Sequence, residues 1–248
     1  MRQKQYFCNI LPIRVDTIHD EDLTQPKLAG KVFHCGEYNT LINSTAFTFR
    51  KGVFVPDKVT LEFIEHAQKI SSSELIKTIA DIGTGSGIIG IFIAKKYPLK
   101  KVYCLDTSKA ATDLTGHNAA QNQIQNIIVL QNRKDRWIPD TLKGEVDFVI
   151  SNPPYVGADD TKRKTFKEEF PDFEFQPREA LLAGDNEGIR PYENLLADSK
   201  RILAKKIFLR CNRLKIKKII ALYESMGVNK IEQIQSVNNM STFLLVNL

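Results

Sequence analysis

An α/β fold on a largely parallel sheet is what this sequence predicts, and three observations predict it. From Lys77 onward, short apolar stretches alternate with helical ones, as a sheet covered on both faces requires. The glycine-rich run DIGTGSG stands between the first of those strands and its helix, which is the setting of a ligand-binding loop in a doubly wound sheet. A chain of 248 residues with 42% hydrophobic content buries one sizeable core, whereas two full domains would be crowded.

Taken in order, EYNTLINSTAFTFRKGVFVP mixes strand formers with turn residues and predicts extended or hairpin structure. No independent core is visible there, so residues 1–50 form a short amino-terminal extension and residues 51–248 the main domain. After Pro56, the positions Leu61, Ile64, Glu65 and Gln68 recur at helical spacing and predict a short helix beside the sheet. KTIADI, KVYCLD, IIVLQ and EVDFVIS are the first four strands. The helix that starts near Ser86 and runs through IIGIFIAKKY is apolar almost all round, as tight packing on a sheet demands. A second spans roughly Lys109 to Gln123. Residues 157–188 are polar and too long for an ordinary connection, which points to a functional lid. GIRPYENLLADSKRIL resumes helical spacing and KKIFLRC is a fifth strand. A helix from Arg213 to Met226 follows, and KIEQIQSV with STFLLVNL closes the sheet as an edge hairpin.

Several function classes are excluded by composition. Cys8, Cys35, Cys104 and Cys211 are scattered with no CxxC pair and no zinc spacing, so reduced thiols, a cytoplasmic location and no metal are expected. His19, His34, His66 and His117 stand at no catalytic or ligand spacing. The leading MRQKQYFCNILPIRV is too short in apolar residues for a secretory signal, and no window resembles a membrane span. Lys plus Arg exceed Asp plus Glu by 35 to 29, a balance that leaves a nucleic-acid partner open without requiring one. Residues 199–223 hold nine Lys or Arg and no acid, but Ile216, Ile219, Ile220 and Tyr223 define a buried helical face, leaving Lys215, Lys217 and Lys218 on a solvated one.

The chemistry gathers at strand ends. In DIGTGSG, Gly83, Gly85 and Gly87 let the backbone turn sharply and approach a ligand, where any side chain would intrude. By itself such a loop is often only a tight turn. Asp106, ending the second strand, can accept from both hydroxyls of a ribose, although an isolated Asp there more often caps a helix. The GxGxG spacing differs from the GxGxxG of dinucleotide folds and suits S-adenosylmethionine better. Trp137, the sole tryptophan, follows the third strand where an adenine could lie against it, although a sole Trp is more commonly core or a packed surface ring.

SNPPYV follows the fourth strand, which lies beside the first at the point where ligands bind in such sheets. Two consecutive prolines cannot continue a central strand, so the chain leaves the sheet rigidly. The Asn152 side-chain carbonyl and the Pro153 backbone carbonyl together can hold the two N–H bonds of a planar NH₂ group, and Tyr155 can press on its plane. A structural Asn-Pro turn explains NPP but explains NPPY at this position poorly.

With these blocks the chain resembles the protein-(glutamine-N5) methyltransferases that modify peptide-chain release factors. DIGTGSG, the acidic end of VYCLD, SNPPYV and QPREALLAGDNEGIRPYENLL carry the resemblance, over residues from about Phe49 to Leu203. It implies a class I S-adenosylmethionine-dependent methyltransferase with a Rossmann-like, seven-stranded, mostly parallel sheet and an antiparallel carboxy-terminal strand. Asp81, Gly83, Thr84, Gly85, Ser86, Gly87, Asp106, Trp137 and Asn152 would hold the cofactor. Asn152, Pro153, Pro154 and Tyr155 would hold the substrate amide, with Asn152, Pro153 and Tyr155 acting in transfer. A release factor is the implied partner of a cytoplasmic monomer. The chain departs from that family at Asp57 to Thr60 after its VFVP, at Gln176-Pro177 in place of Glu-Pro, and in LRCN, which lacks a glutamate. Two rivals stand beside this reading: methylation of the exocyclic amino group of adenine in RNA or DNA, which the same turn would hold, and a cofactor-binding scaffold without turnover.

Overall fold

The computed structural model describes residues 16–17, 27–237 and 241–248. The segment in which no secretory signal is expected, together with Cys8 and His19, lies outside the described residues. Strands β1 (Asp16–Thr17), β2 (Glu37–Ile42) and β3 (Thr45–Arg50) form a small sheet. Strands β4 (Thr78–Ile82), β5 (Lys101–Asp106), β6 (Ile127–Gln131), β7 (Phe148–Ser151), β8 (Lys206–Asn212), β9 (Lys230–Gln235) and β10 (Ser241–Asn247) form a second one of seven strands, ordered β6-β5-β4-β7-β8-β10-β9. Neighbours from β6 to β8 are parallel, and β10 runs antiparallel to both β8 and β9. This is the expected class I methyltransferase sheet. The helices are α1 (Lys27–Cys35), α2 (Lys58–Ser71), α3 (Ile88–Lys96), α4 (Lys109–Gln121), α5 (Phe166–Glu169), α6 (Arg178–Leu181), α7 (Arg190–Arg201) and α8 (Ile216–Ser225).

Two apolar layers cover the large sheet because its central strands are apolar on both faces. Ile79, Phe148, Ile150 and Phe208 pack toward α2 and α3, while Ala80, Ile82, Val149 and Leu209 pack toward α7 and α8. Helix α3 is buried from Ile88 through Ala94, which its continuous apolar sequence requires. Across the first layer, Phe63 stacks on Phe208 with ring centroids 4.6 Å apart and meets Phe243 edge-on at 5.3 Å. All three rings are fully buried, and such pairs add about 0.5–1.5 kcal/mol each beyond their burial. The β2–β3 hairpin joins the same layer through Ile42, Phe47 and Phe49, and Asn118 of α4 accepts from the Thr48 N–H at 2.8 Å.

One sequence expectation gains detail and another changes. Residues 157–188 are a structured cover: Phe166 and Leu181 bury against Val156, and Phe170 and Phe173 pack on them. Gln176 fastens the cover by exchanging two 2.9 Å hydrogen bonds with the Val55 backbone. The phenylalanines that build this satellite core are spaced among charges, so no periodicity announces them. The helix expected from Arg213 begins as a 3-10 turn over Arg213–Lys215, and only then does α8 start. The tighter winding turns Lys215 off the solvated face, and it is buried.

Candidate active site

A cavity of about 820 Å³ opens where β4 and β7 lie side by side and their connections diverge to opposite faces. Four neighbouring strands deliver side chains or loops to it from their carboxyl ends. The β4 loop brings Gly83 to Ser86, β5 brings Asp106, β6 brings Asn132 just beyond its end, and β7 brings Asn152 to Tyr155. Trp137 also lines the wall, its ring held by an indole N–H bond to the Lys134 carbonyl at 3.2 Å.

The loop is held from below and from α4. Gly83 and Thr84 N–H groups both donate to the Leu105 carbonyl, and Gly85 N–H donates to Asp106 Oδ2 at 3.0 Å. Thr115 donates to the Gly85 carbonyl and Asn118 to that of Ser86. At Gly87, φ is +81° and a Cβ would meet Thr115 Cγ2 at 2.8 Å, so glycine is required there for conformation and for packing alike. Asp106 Oδ1 takes the Ser108 N–H at 2.9 Å, so each carboxylate oxygen keeps a further lone pair for a hydroxyl donor. Burial pushes the Asp106 carboxyl up, and the N–H bonds of Ser108, Gly85 and Thr107 oppose that.

Asp81 and Gly87 do not reach the cavity wall. Asp81, expected among cofactor-holding residues, is fully buried beneath the loop, where Oδ2 accepts from Thr84 Oγ1 at 2.7 Å and Gly90 N–H at 3.1 Å. Strand alternation turns its side chain toward α3. Burial raises its carboxyl from 3.8 to about 7, despite the hydrogen bonds from Thr84 and Gly90. Because the folded value is raised, between those two values the native state holds a proton the unfolded state lacks, and stability falls as pH rises through that window. Wild type is therefore expected to lose melting temperature between about pH 4 and pH 7 relative to Asp81→Asn, which keeps the shape without the titration; parallel slopes in thermal melts would contradict this.

Two wall residues carry buried oxygens with no hydrogen-bond partner: Asn132 Oδ1 and Asn152 Oδ1. Buried polar atoms are almost always satisfied, and these two oxygens belong to residues that line the cavity, so each is an acceptor still without a donor at its edge. Asn152 is a sequence-predicted residue. Asn132 was missed, although it stands immediately after Gln131, which pairs in register with Asp106, and that position was its available signal. The orphan oxygens, the Asp106 carboxylate, the indole face and the glycine turn together fit an adenosine-containing cofactor, and a planar amino group beside it.

Charges behind the acceptor turn come from elsewhere in the chain. Arg210 of β8 donates two 2.7 Å bonds to the Asp57 carboxylate, and its guanidinium lies 6.0 Å from the Tyr155 ring centroid. Asp57 also caps α2 by accepting the Thr60 N–H. Two of the departures from family pattern, at Asp57 and in LRCN, thus meet as one ion pair, and the third, Gln176, anchors the adjacent cover. No group of His, Cys, Asp or Glu among the described residues could hold a metal ion, and no described helix is long and apolar enough to cross a membrane.

Comparison with known proteins bears on the same site. Residues 44–171 match the family described as methyltransferase small domain. The chain is 30% identical over 130 residues to the release factor glutamine methyltransferase of Xylella fastidiosa, covering 52% of this chain and 44% of that protein. It is 30% identical over 184 residues to the protein of that name in Flavobacterium psychrophilum, covering 72% and 62%. The chain thus spans less than two thirds of either relative's length. Among solved structures, the hMettl16 catalytic domain in complex with MAT2A 3'UTR hairpin 6 superposes with a TM-score of 0.64 at 12% identity, covering 81% of this chain and 74% of that one. At that identity the likeness is one of fold. A match over just over half of the chain, reaching from the β2–β3 turn through the glycine loop and the Asn-Pro-Pro-Tyr turn, settles the membership: this chain belongs to the methyltransferase small domain family, and its cofactor is S-adenosyl-L-methionine.

Proposed function

We propose that this methyltransferase methylates the side-chain amide nitrogen of a glutamine in a protein substrate, a peptide-chain release factor. The observation that carries the reading is the proline-stiffened turn on the wall of the cofactor cavity, where Asn152 is a lining residue whose Oδ1 has no hydrogen-bond partner. When bound, S-adenosylmethionine supplies a methyl group on a positively charged sulfur, ready for attack by a nucleophile. The Asp106 carboxylate, the Gly83 to Ser86 backbone, Asn132 and Trp137 would hold its nucleoside end.

Asn152 Oδ1 and the Pro153 carbonyl would accept one N–H bond each, fixing the amide plane and leaving the nitrogen face free toward the methyl. An amide nitrogen is a weak nucleophile whose N–H bonds become more acidic as it attacks, so these acceptors strengthen in the transition state, where binding accelerates reaction. Burial pushes the Tyr155 phenol above its ordinary value, so it stays neutral and serves as an apolar wall. Holding two reactants aligned removes roughly 7–11 kcal/mol of barrier in favourable cases, which makes positioning the main contribution asked of these residues.

The rival acceptor, a base in RNA, would need a basic groove, and the lysine-rich stretch is the candidate. Five of its nine charges are paired with carboxylates: Lys205 with Asp147, Arg201 with Asp198, Lys218 with Glu187, Arg210 with Asp57 and Lys215 with Asp160. That distribution favours a protein substrate. Isotope-labelled methyl transfer offered release factor and structured RNA in parallel tests the proposal. Label on a release-factor glutamine is the expected result, located by mass spectrometry. Label on RNA alone would replace the acceptor, and cofactor binding without transfer to either would leave a scaffold.

A further inference from the structure

We infer that Lys215 is a positioning residue of the methyl-acceptor turn, an assignment that rests on the proposed role of Tyr155 as the acceptor wall. Lys215 is 6% exposed and ends the 3-10 turn that follows β8. Its ammonium donates to the Tyr155 backbone carbonyl at 2.6 Å and pairs with the buried Asp160 carboxylate. Asp160 in turn accepts the Gly157 N–H at 2.8 Å and sits 3.4 Å from the Arg163 guanidinium. One ammonium therefore ties the exit of the Asn-Pro-Pro-Tyr turn to the cover and to the end of β8.

One glycine makes room for it, and a second lets the neighbouring backbone close up. A Cβ on Gly188, whose φ is +73°, would overlap both the Lys215 ammonium and the Tyr155 carbonyl, and a Cβ on Gly157 would overlap the backbone at residues 186–188. At Gly188 the backbone is thus thinned beside a buried cation, an arrangement that apolar packing alone would not need. Prolines 153 and 154 fix φ within the turn, and the Lys215 bond to the Tyr155 carbonyl restrains the peptide where proline no longer does. With the ring of Tyr155 near Arg210 and its carbonyl on Lys215, both ends of the residue are held from β8 and the turn that follows it.

The ion pair also contributes to folding, so the test must separate that contribution. Removing Lys215 alone strands the Asp160 carboxylate, whereas removing both charges with an apolar and an amide side chain of similar size costs little stability. The informative variant is therefore Lys215→Met with Asp160→Asn. We expect it to melt near wild type and to bind S-adenosylmethionine in calorimetry with unchanged affinity, while kcat falls about 10- to 100-fold, the effect of misplacing a reacting group by about 1 Å. Hydrogen exchange gives a second readout that needs no acceptor: Val156 N–H, bonded to the Leu181 carbonyl, exchanges faster in the variant while β4 and α3 are unchanged. Recovery of both stability and kcat would reduce Lys215 to a structural role, as would unaltered exchange at Val156. Turnover is judged on whichever acceptor wild type methylates, so failure of the amide reading shows in the wild-type arm alone.

Discussion

Asn152→Ala is expected to abolish most methyl transfer, lowering kcat by about 10²–10³-fold, the range found when one preorganised transition-state hydrogen-bonding group is removed. The same variant should lose no stability. In the free protein Asn152 Oδ1 bonds to nothing, so its removal costs no hydrogen bond and relieves a buried, unsatisfied oxygen. The combination of unchanged or slightly raised melting temperature, nearly unchanged cofactor affinity and collapsed turnover distinguishes a substrate clamp from a structural turn. A variant that unfolds, or one that turns over normally, would remove Asn152 from the acceptor site. Single-turnover measurement at saturating cofactor is the right assay, because it isolates the transfer step from product release.

Arg210→Ala is the second large effect, and it acts through stability first. Arg210 is 4% exposed and the Asp57 side chain 13%, so the variant leaves a carboxylate buried beside an empty site. Breaking such a pair costs roughly 3–5 kcal/mol, readable by urea denaturation. Its pH dependence carries a sign. Burial alone would raise the Asp57 carboxyl, but the Arg210 charge and hydrogen bonds outweigh it and hold the folded value below 3.8. The pairing therefore stabilises the fold at pH above that ordinary value, and its contribution is lost as pH falls through the lowered folded value. The gap between wild type and variant is expected to be widest near neutrality and to close on acidification. A gap that stays constant down to about pH 3 would mean that Asp57 does not depend on Arg210 for its charge. Transfer should suffer as well, since the Tyr155 ring loses the guanidinium beside it.

Much of the site is legible in the sequence for a geometric reason. In a parallel sheet every carboxyl-terminal strand end points to the same edge, so a residue placed at such an end is placed at the site. DIGTGSG, Asp106 and SNPPYV each follow a run whose apolar character marks it as a central strand, and the structure brings all three to one cavity. Asp81 misleads because it belongs to the strand and not to its end: alternation sends it under α3. Asn132 escapes notice because asparagine after a strand is ordinary turn chemistry, and only its place at the cavity edge with an unpartnered buried oxygen distinguishes it.

By themselves, the residues in order determine the alternation of strands and helices, the glycine turn that only a Cβ-free backbone can make, and the rigid exit at Pro153 and Pro154. Those are local properties, encoded within a few positions. The tertiary structure alone decides which charges meet. Asp57 and Arg210, like Asp160 and Lys215, are far apart along the chain; the first pair meets because α2 packs over β8, and the second because β8 lies next to β7. A charge read in isolation favours water, so local pattern assigns such a lysine to solvent; strand order supplies the buried partner that overrides that preference, and with it the two cations that hold Tyr155.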